Sequence, residues 1–342
     1  MRKSRLKEIS KYVLPPIFID AQRWALKRWL SPVECPARTR FPYGEFYLEC
    51  DASHHLPQIL DAVPNFGRNL ADVVNSLGVR EPHIVDVGAN IGDTAILLAR
   101  FAPGAKVLCI EGDSRFMPYL KSNTVQIGGV TVAEAILSDR SAQIEGSFVT
   151  DKGTAHLLIG QGGTWLNVQT LDDLLGSYSE FSSPHLIKID TDGFEPAILR
   201  GARNILASSK PVLFYEWHPD YYKAAGEDTI GHADFLMNLG YEGFTIFSNR
   251  GELLLHTLRP GRDTFESLAQ FSHARRVVDN FHFDIAAFPT EQLSAWERLW
   301  SHYSKGESTK PTTSKSAISL IPLQLVDHLT PFAVLTIAAQ SI

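Results

Sequence analysis

The sequence has few cysteines and no long unbroken apolar stretch. Only three of its 342 residues are cysteines, Cys35, Cys50 and Cys109, and no short spacing relates them. This argues against a disulfide scaffold or a cysteine-based metal site and fits a reducing compartment, so we expect a cytoplasmic protein. A membrane span needs about 20 apolar residues, and the apolar run after residue 316 is interrupted by two prolines, an aspartate and a histidine. We therefore expect no spanning helix.

Positive charge is scarce outside the N-terminal segment. Residues 1–40 hold ten Lys and Arg against three Asp and Glu, whereas the other 302 residues hold 22 against 35. The net negative charge of residues 41–342 would repel the phosphate backbone of a nucleic acid, so we expect no nucleic-acid partner. The basic segment also carries apolar residues such as Trp24 and Trp29. It suits either a helix packed on its own domain or a contact with a subunit or with the inner face of an anionic membrane.

The chain divides into three parts by composition. With 44% hydrophobic and 20% charged residues it reads as a globular protein able to bury a large core. We predict a basic N-terminal helical segment over residues 1–45, a main domain over 46–300, and a polar linker with a tail of unknown role over 301–342.

The main domain alternates predicted strands with predicted helices. Apolar, β-branched runs at residues 83–87, 106–111, 130–137, 185–190 and 211–217 predict strands, with helices predicted over 93–101 and 194–206. Later runs at 240–247 and 281–288 are candidates to close the sheet. This alternation predicts an α/β fold with a mostly parallel sheet covered by helices on both faces. Ligands bind beyond the carboxyl ends of the strands in such folds.

The first strand ends in a glycine-rich loop, DVGANIGD. Gly88 and Gly92 permit a sharp turn and a close backbone approach, and Asn90 tolerates a left-handed conformation between them. The spacing differs from the G-x-G-x-x-G pyrophosphate loop, and Asp86 would repel a diphosphate but attract an ammonium group. Glu111 ends the second strand, where a carboxylate can accept hydrogen bonds from a ribose diol. A ligand with a ribose and a cationic amino-acid end but no phosphates is S-adenosylmethionine (SAM). We predict that Asp93, at the start of the following helix, also contacts this cofactor.

Five motifs in order resemble the FkbM family of SAM-dependent methyltransferases. These are DVGANIGDTAILLA, CIEGD, AILSD, NVQTLDDLL and IKIDTDGFEPAILRGA, and the similarity runs from about Phe46 to Pro289. The resemblance implies a class I methyltransferase fold with a seven-stranded sheet, residues 46–300 as the methyltransferase domain, and SAM contacts that include Ala135 of AILSD. It also implies O-methylation of a sugar, a surface polysaccharide or a secondary metabolite. Two departures are Gly112, where the family has Pro or Ala, and Asp192, where the family has Glu.

The fourth and fifth strand ends carry the candidate chemistry. Lys188 and Asp190 alternate with apolar residues and share one strand face. A buried lysine needs partners, and Asp190, Glu195 and Glu216 are candidates, either as a structural ion cluster or as part of the catalytic site. A base near the acceptor hydroxyl should assist methyl transfer. We predict His218 in this role, whereas Asp190 could serve as the base, hold the acceptor or bind the SAM amino group.

Several alternatives stay open. A Mg²⁺ site ranks below a metal-free site, although oxygen ligands are present; its candidate ligands are Asp190, Asp192, Glu216, His218 and Asp220. The remaining histidines considered, His54, His55, His185 and His232, are interpreted as ordinary polar residues. The predicted function is O-methylation of a small-molecule or glycan acceptor. The alternatives are N-methylation of an amino sugar, a nicotinamide-dependent sugar oxidoreductase, and a SAM-binding module without catalysis.

Overall fold

The computed structural model describes residues 38–151, 153–160, 163–275 and 281–305. The strands are β1 (Arg38–Tyr43), β2 (Phe46–Asp51), β3 (His83–Val87), β4 (Lys106–Glu111), β5 (Val130–Glu134), β6 (Ile136–Leu137), β7 (Ala142–Asp151), β8 (Thr154–Ile159), β9 (Thr164–Gln169), β10 (Leu186–Ile189), β11 (Val212–Trp217), β12 (Tyr241–Ser248), β13 (Leu253–Leu258) and β14 (Phe283–Pro289). The α-helices are α1 (Leu56–Ala62), α2 (Arg68–Ser76), α3 (Asp93–Phe101), α4 (Met117–Thr124), α5 (Leu171–Leu175), α6 (Glu195–Gly201), α7 (Arg203–Ser208), α8 (Pro219–Ala224), α9 (Gly231–Asn238), α10 (Arg262–Arg275) and α11 (Leu293–Ser304). Short 3₁₀ turns lie at Ser179–Phe181 and Thr290–Gln292.

The centre of the fold is a sheet of eight strands in the order β13-β12-β14-β11-β10-β3-β4-β5. The five strands from β11 to β5 in this order pair in parallel. β14 runs antiparallel to both β11 and β12, and β13 runs antiparallel to β12. The predicted α/β architecture is therefore confirmed. The predicted count of seven strands misses β13, which extends the sheet beyond β12.

Helices cover both faces of this sheet because its strands are apolar on both sides. Val85 and Val87 of β3 pack with α5, α6, α7, α9 and α10 on one face. Ile84 of the same strand packs with α2, α3, α4 and α11 on the other. None of the described helices is long and apolar enough to cross a membrane.

The predicted strand over residues 130–137 is two strands. β5 belongs to the large sheet, and β6 starts a second sheet of order β6-β9-β7-β8. The chain changes sheets at Ala135, whose N–H donates to the carbonyl of Glu111 at 3.0 Å. The predicted helix over 194–206 is likewise two helices, α6 and α7, separated at Ala202.

The predicted N- and C-terminal parts lie mostly outside the described residues. Of the predicted helical segment 1–45, only the end from Arg38 is described, and there the helical prediction is wrong because β1 pairs with β2 in a hairpin. Leu48 and Cys50 of this hairpin are fully buried against the main domain. The domain therefore includes β1. At the other end, α11 continues to Ser304, into the predicted linker.

Candidate active site

A cleft of about 710 Å³ opens at the carboxyl ends of β3, β4, β10 and β11. The second sheet contributes β7 and β8 to its wall, and the segment after β2 contributes His54 and His55. Of the residues predicted to contact a cofactor, Gly88, Asn90, Asp93, Glu111 and Ala135 line this cleft. These five predicted residues thus lie at the edge of the sheet where the cleft opens.

The turn after β3 requires glycine at residue 88. Gly88 has a left-handed φ of +78°, and a Cβ atom placed on it would lie 1.9 Å from the carbonyl oxygen of Asp190. Any side chain would therefore push the loop away from β10. Gly92, with φ +87°, instead caps the start of α3 and packs against Leu120. The structure places Gly92 in the framework of the loop and not in the cleft wall.

Glu111 organises the loops on either side of it. One oxygen of its carboxylate accepts the N–H of Asn90 and the other accepts the N–H of Asp113, both at 2.7 Å. Burial raises its pKa, whereas these backbone hydrogen bonds oppose the rise. A carboxylate offers about four acceptor positions, and the N–H of Gly112 also acts on this one, so the carboxylate retains capacity for a further donor. The prediction of a diol-binding carboxylate at the cleft wall fits this geometry.

Asn90 connects the loop to both walls of the cleft. Its backbone φ is +47°, in the left-handed region expected from the sequence. Its side-chain amide donates to the carbonyl of Gly153 at 2.8 Å, and its Oδ1 lies 3.5 Å from Nε2 of His54. His54 thus belongs to the cleft, although it was interpreted from the sequence as an ordinary polar residue.

Asp86 does not occupy the predicted position. Its carboxylate is 0% exposed and does not line the cleft. It lies on the face of β3 that α2 and α3 cover, and its Oδ1 is 3.0 Å from Nζ of Lys188. Burial raises the pKa of Asp86, and the ammonium group of Lys188 opposes this rise. The predicted contact between Asp86 and a ligand ammonium is therefore replaced by an internal ion pair.

Lys188 links this buried pair to the cleft. The residue is 7% exposed, and its Nζ also lies 3.3 Å from Oδ2 of Asp190. Burial alone would lower the pKa of Lys188, but Asp86 and Asp190 outweigh burial and raise it. The Asp190 side chain is 44% exposed and faces the cleft. Burial of its inner part raises its pKa, but Lys188 and His282 bring the pKa below its ordinary value. Asp190 is therefore an ionised carboxylate at the cleft surface.

Three acidic residues form a row across neighbouring strands. Glu216 pairs with Asp284 across β11 and β14, and Asp190 follows the residue of β10 that pairs with Tyr215. Asp190 and Glu216 both line the cleft, on neighbouring strands, and two adjacent carboxyl groups disfavour ionising together. Burial and the neighbouring acids raise the pKa of Glu216 well above its ordinary value, so Glu216 holds a proton more readily than Asp190.

Asp284 and His282 complete this end of the cleft, and the sequence prediction missed both. Asp284 accepts a hydrogen bond from Nδ2 of Asn69 at 2.9 Å, and burial raises its pKa to about 7. His282 Nε2 lies 3.7 Å from Oε2 of Glu216. Both residues stand at the start of β14, which is antiparallel to β11, so its amino end reaches the carboxyl edge of the parallel strands.

His218 is wrongly predicted as the base. It is 4% exposed, does not line the cleft, and stacks on the ring of Tyr221 at 3.8 Å between centroids. Its side chain caps α8 by accepting the N–H of Tyr221. The cap follows from Pro219, which begins α8 immediately after the strand.

Glu195 also differs from its prediction as a partner of Lys188. Its carboxylate accepts the N–H of Thr191 at 2.6 Å and the N–H of Gly193 at 3.0 Å. Burial raises its pKa to about 7. Glu195 therefore shapes the loop that presents Asp192, a cleft residue with φ +54° whose Oδ2 lies 3.8 Å from Nδ1 of His156.

The geometry gives no support to the Mg²⁺ alternative. Within the described ranges, no group of three or more His, Cys, Asp or Glu side chains is arranged to hold a metal ion. Asp220, one of the candidate ligands, instead lies 3.1 Å from Nδ1 of His273.

The cleft fits a ligand with a ribose and an apolar ring. Gly112 follows Glu111, and a Cβ atom there would lie 3.1 Å from Ile136 and 3.4 Å from Phe148. The apolar side chains thus approach the strand end as closely as a glycine allows. Together with the spare acceptors of Glu111, they would hold an adenosine, so the residues present are compatible with SAM.

Comparison with known proteins identifies a domain in this part of the chain. Residues 86–242 match the family model described as the methyltransferase FkbM domain. No curated protein matches the chain.

Solved structures with some similarity include a methyltransferase FkbM from Methylobacillus flagellatus, at 20% identity and a TM-score of 0.35, covering 47% of this chain and 38% of that one. The chain thus spans well under two thirds of that protein. Another is M. jannaschii TYW2 in complex with AdoMet, at 11% identity and a TM-score of 0.36, covering 75% and 89% of the two chains. A third is a TehB-like SAM-dependent methyltransferase from Corynebacterium glutamicum, at 13% identity and a TM-score of 0.35, covering 68% and 92%.

Proposed function

We propose that the chain, whose residues 86–242 match the methyltransferase FkbM domain, uses SAM to methylate a hydroxyl group of a neutral, polyhydroxylated acceptor. A sugar, a surface polysaccharide or a hydroxylated secondary metabolite has this chemistry. The observation that carries the proposal is the row of Asp190, Glu216 and Asp284 along the cleft wall, in which Lys188 lowers the pKa of Asp190 while burial raises the pKa of its two neighbours.

A row of this kind suits hydroxyl groups. A protonated carboxyl both donates and accepts hydrogen bonds, as a hydroxyl does. Lys188 is the only lysine among the described residues that line the cleft, no arginine lines it, and the ammonium group of Lys188 is already paired with Asp86 and Asp190. An acceptor with a phosphate or carboxylate near the reacting group would meet acidic side chains and, among the described residues of the cleft, no lysine or arginine that is not already paired. This favours a neutral acceptor.

Asp190 is the candidate base. SAM would supply a methyl group bound to a sulfonium sulfur. An oxygen nucleophile in line with the carbon–sulfur bond can attack the methyl carbon as the sulfur leaves. An acceptor hydroxyl that donates to Asp190 would be oriented by this hydrogen bond, and its proton would pass to the carboxylate as the oxygen becomes more acidic. Lys188, whose Nζ lies 3.3 Å from Oδ2 of Asp190, holds the carboxylate in place for this contact.

The same row argues against an amino acceptor. An ammonium group would be attracted to Asp190, which would stabilise its protonated form. A protonated amine has no lone pair with which to attack. O-methylation is therefore favoured over N-methylation.

The basic N-terminal segment is proposed to serve association and not chemistry. Its described end includes Arg38 and Arg40, which are exposed on β1, and the guanidinium of Arg40 lies 4.4 Å from the ring centroid of Tyr47. This surface continues the positive charge of residues 1–37 and suits an anionic membrane or an acidic subunit surface.

The test is a transfer assay with methyl-labelled SAM and four classes of acceptor. These are neutral glycosides, the matching amino sugars, uronic acids and sugar phosphates. We expect O-methylated product from the neutral class. Asp190→Asn should reduce turnover by about 10²- to 10⁴-fold, whereas Asp220→Asn, the same change outside the cleft, should not. Label found on nitrogen, or only on the anionic acceptors, would contradict the proposal.

A further inference from the structure

We propose that Glu216 and His282 form the route by which the proton taken up by Asp190 leaves the cleft, with His282 exchanging it with solvent. The inference rests on the proposed function, because a hydroxyl acceptor releases one proton for each methyl group transferred. The new bond joins the acceptor oxygen to the methyl carbon, the carbon–sulfur bond breaks with its electron pair remaining on sulfur, and the hydroxyl proton goes to Asp190. That proton must depart before the next turnover.

The inner side of Asp190 offers no exit. Lys188, 3.3 Å away, already holds its proton, and behind it lies the fully buried carboxylate of Asp86. The exposed side of Asp190 is the side that faces the cleft, which the acceptor would cover and from which bound ligands would exclude water. The path that remains runs along the row of strands.

Glu216 occupies that path. It lies beside Asp190 on the neighbouring strand, and both side chains line the cleft, so a proton arriving on Asp190 can be matched by one departing from Glu216. Its Oε2 lies 3.7 Å from Nε2 of His282, a gap that a small side-chain rotation can close. The His282 side chain is 24% exposed, whereas that of Glu216 is 12% exposed. The route thus leads outward, and it ends on a histidine, the side chain that most readily exchanges protons at neutral pH.

Four titratable residues face His282. Glu216 lies on β11, Asp190 directly follows β10, and Asp284 lies on β14, two residues after His282. The ring of His218 lies 6.1 Å from the ring of His282 between centroids. Because these groups interact, their titrations are coupled and must be followed together. His282 meets the migrating proton through Glu216, and it also lowers the pKa of Asp190.

The first test needs no acceptor. The ring protons of His282, assigned with His282→Gln, are followed by NMR as the pH of the whole protein is varied. The titration of His282 should carry a second inflection from Glu216, and this inflection should vanish in Glu216→Gln. Glu242→Gln, the same change at a surface ion pair with Arg259, should leave the curve unaltered. Identical His282 curves in wild type and Glu216→Gln would overturn the proposal, whatever acceptor the enzyme uses.

The second test measures turnover with an acceptor that gave product above. His282→Gln should lower turnover by about 10²-fold at neutral pH, the lower end of what proton-transfer groups contribute. Added imidazole should restore part of this loss, more strongly as its basic form increases. His273→Gln, the same change at an exposed histidine outside the cleft, should stay near the wild-type rate. An unchanged rate in a folded His282→Gln protein, or a loss that imidazole does not restore, would refute the exit route while leaving the methylation proposal intact.

Discussion

Replacing Lys188 by methionine isolates the charge that holds the buried side of the active site together. The change removes the ammonium group 3.0 Å from Asp86 and leaves that carboxylate fully buried without its counterion. Breaking a buried ion pair by removing one partner typically costs about 3–5 kcal/mol. For a chain of this size the cost corresponds to a fall in Tm of roughly 4–7 °C.

The cost should depend on pH in a definite direction. Without Lys188, the pKa of Asp86 in the folded protein rises further above its ordinary value of 3.8. A raised folded-state pKa of an acid means that stability is lost as pH rises from the unfolded pKa toward the folded one. Lys188→Met should therefore be little destabilised near pH 4 and strongly destabilised near pH 8.

Urea unfolding at several pH values measures this effect. The double variant Asp86→Asn/Lys188→Met should recover part of the loss at pH 8, because it no longer buries a stranded carboxylate. Lys106→Met removes the lysine of an exposed pair, 2.7 Å from Glu180, and should change little. A Lys188→Met protein that unfolds at the wild-type urea concentration at pH 8, or whose loss does not vary with pH, would refute the reasoning.

The remaining predictions concern the cofactor loop, pH and the N-terminus. Glu111→Ala should weaken SAM binding by about 5- to 150-fold in calorimetry, because two ribose hydroxyls lose an acceptor worth roughly 1–3 kcal/mol; unchanged affinity would remove the assignment. Gly88→Ala should lose SAM binding and stability, since its Cβ would lie 1.9 Å from a carbonyl oxygen, whereas Gly128→Ala, with no atom within 4 Å, should be tolerated. Asp284→Asn should gain stability relative to wild type between pH 5 and pH 8, because the pKa of the native acid is raised to about 7 and wild type loses stability over that range. A chain beginning at Arg38 should retain SAM binding but lose attachment to anionic vesicles at low salt; vesicles ignored by the full chain would indicate another role for the segment.

The sequence predicted the parts of the fold that depend on local patterns. Buried parallel strands such as β3 and β10 are short apolar runs bounded by turns, and the glycine at residue 88 marks a turn that no other residue could form. The prediction therefore placed the glycine-rich loop and Glu111 at the carboxyl ends of neighbouring strands, where the cleft lies. The direction of β14 is not encoded in its apolar pattern. Without that direction, His282 and Asp284 could not be assigned to the carboxyl edge of the sheet.

Two errors have physical causes that the sequence did contain. Asp86 lies two residues after Ile84, and Lys188 lies two residues after Leu186, so all four side chains point to the same covered face of the sheet. A lysine on that face requires a buried counterion. His218 precedes Pro219, a helix-start signal that favours a capping role over a free base. Both residues lie near the end of a strand, which suggested a place in the cleft, but Asp86 pairs with buried Lys188 and His218 caps a helix.

The central claim is that the enzyme transfers a methyl group to a neutral hydroxyl that Asp190 orients. The most direct measurement is NMR of the product formed from ¹³C-methyl SAM by the wild-type protein and by Asp190→Asn at equal concentrations of folded enzyme. We expect a methyl ether signal from the wild type and a signal at least about 10²-fold slower to appear from the variant. A methylamine signal, or equal rates of ether formation by the two proteins, would contradict the account.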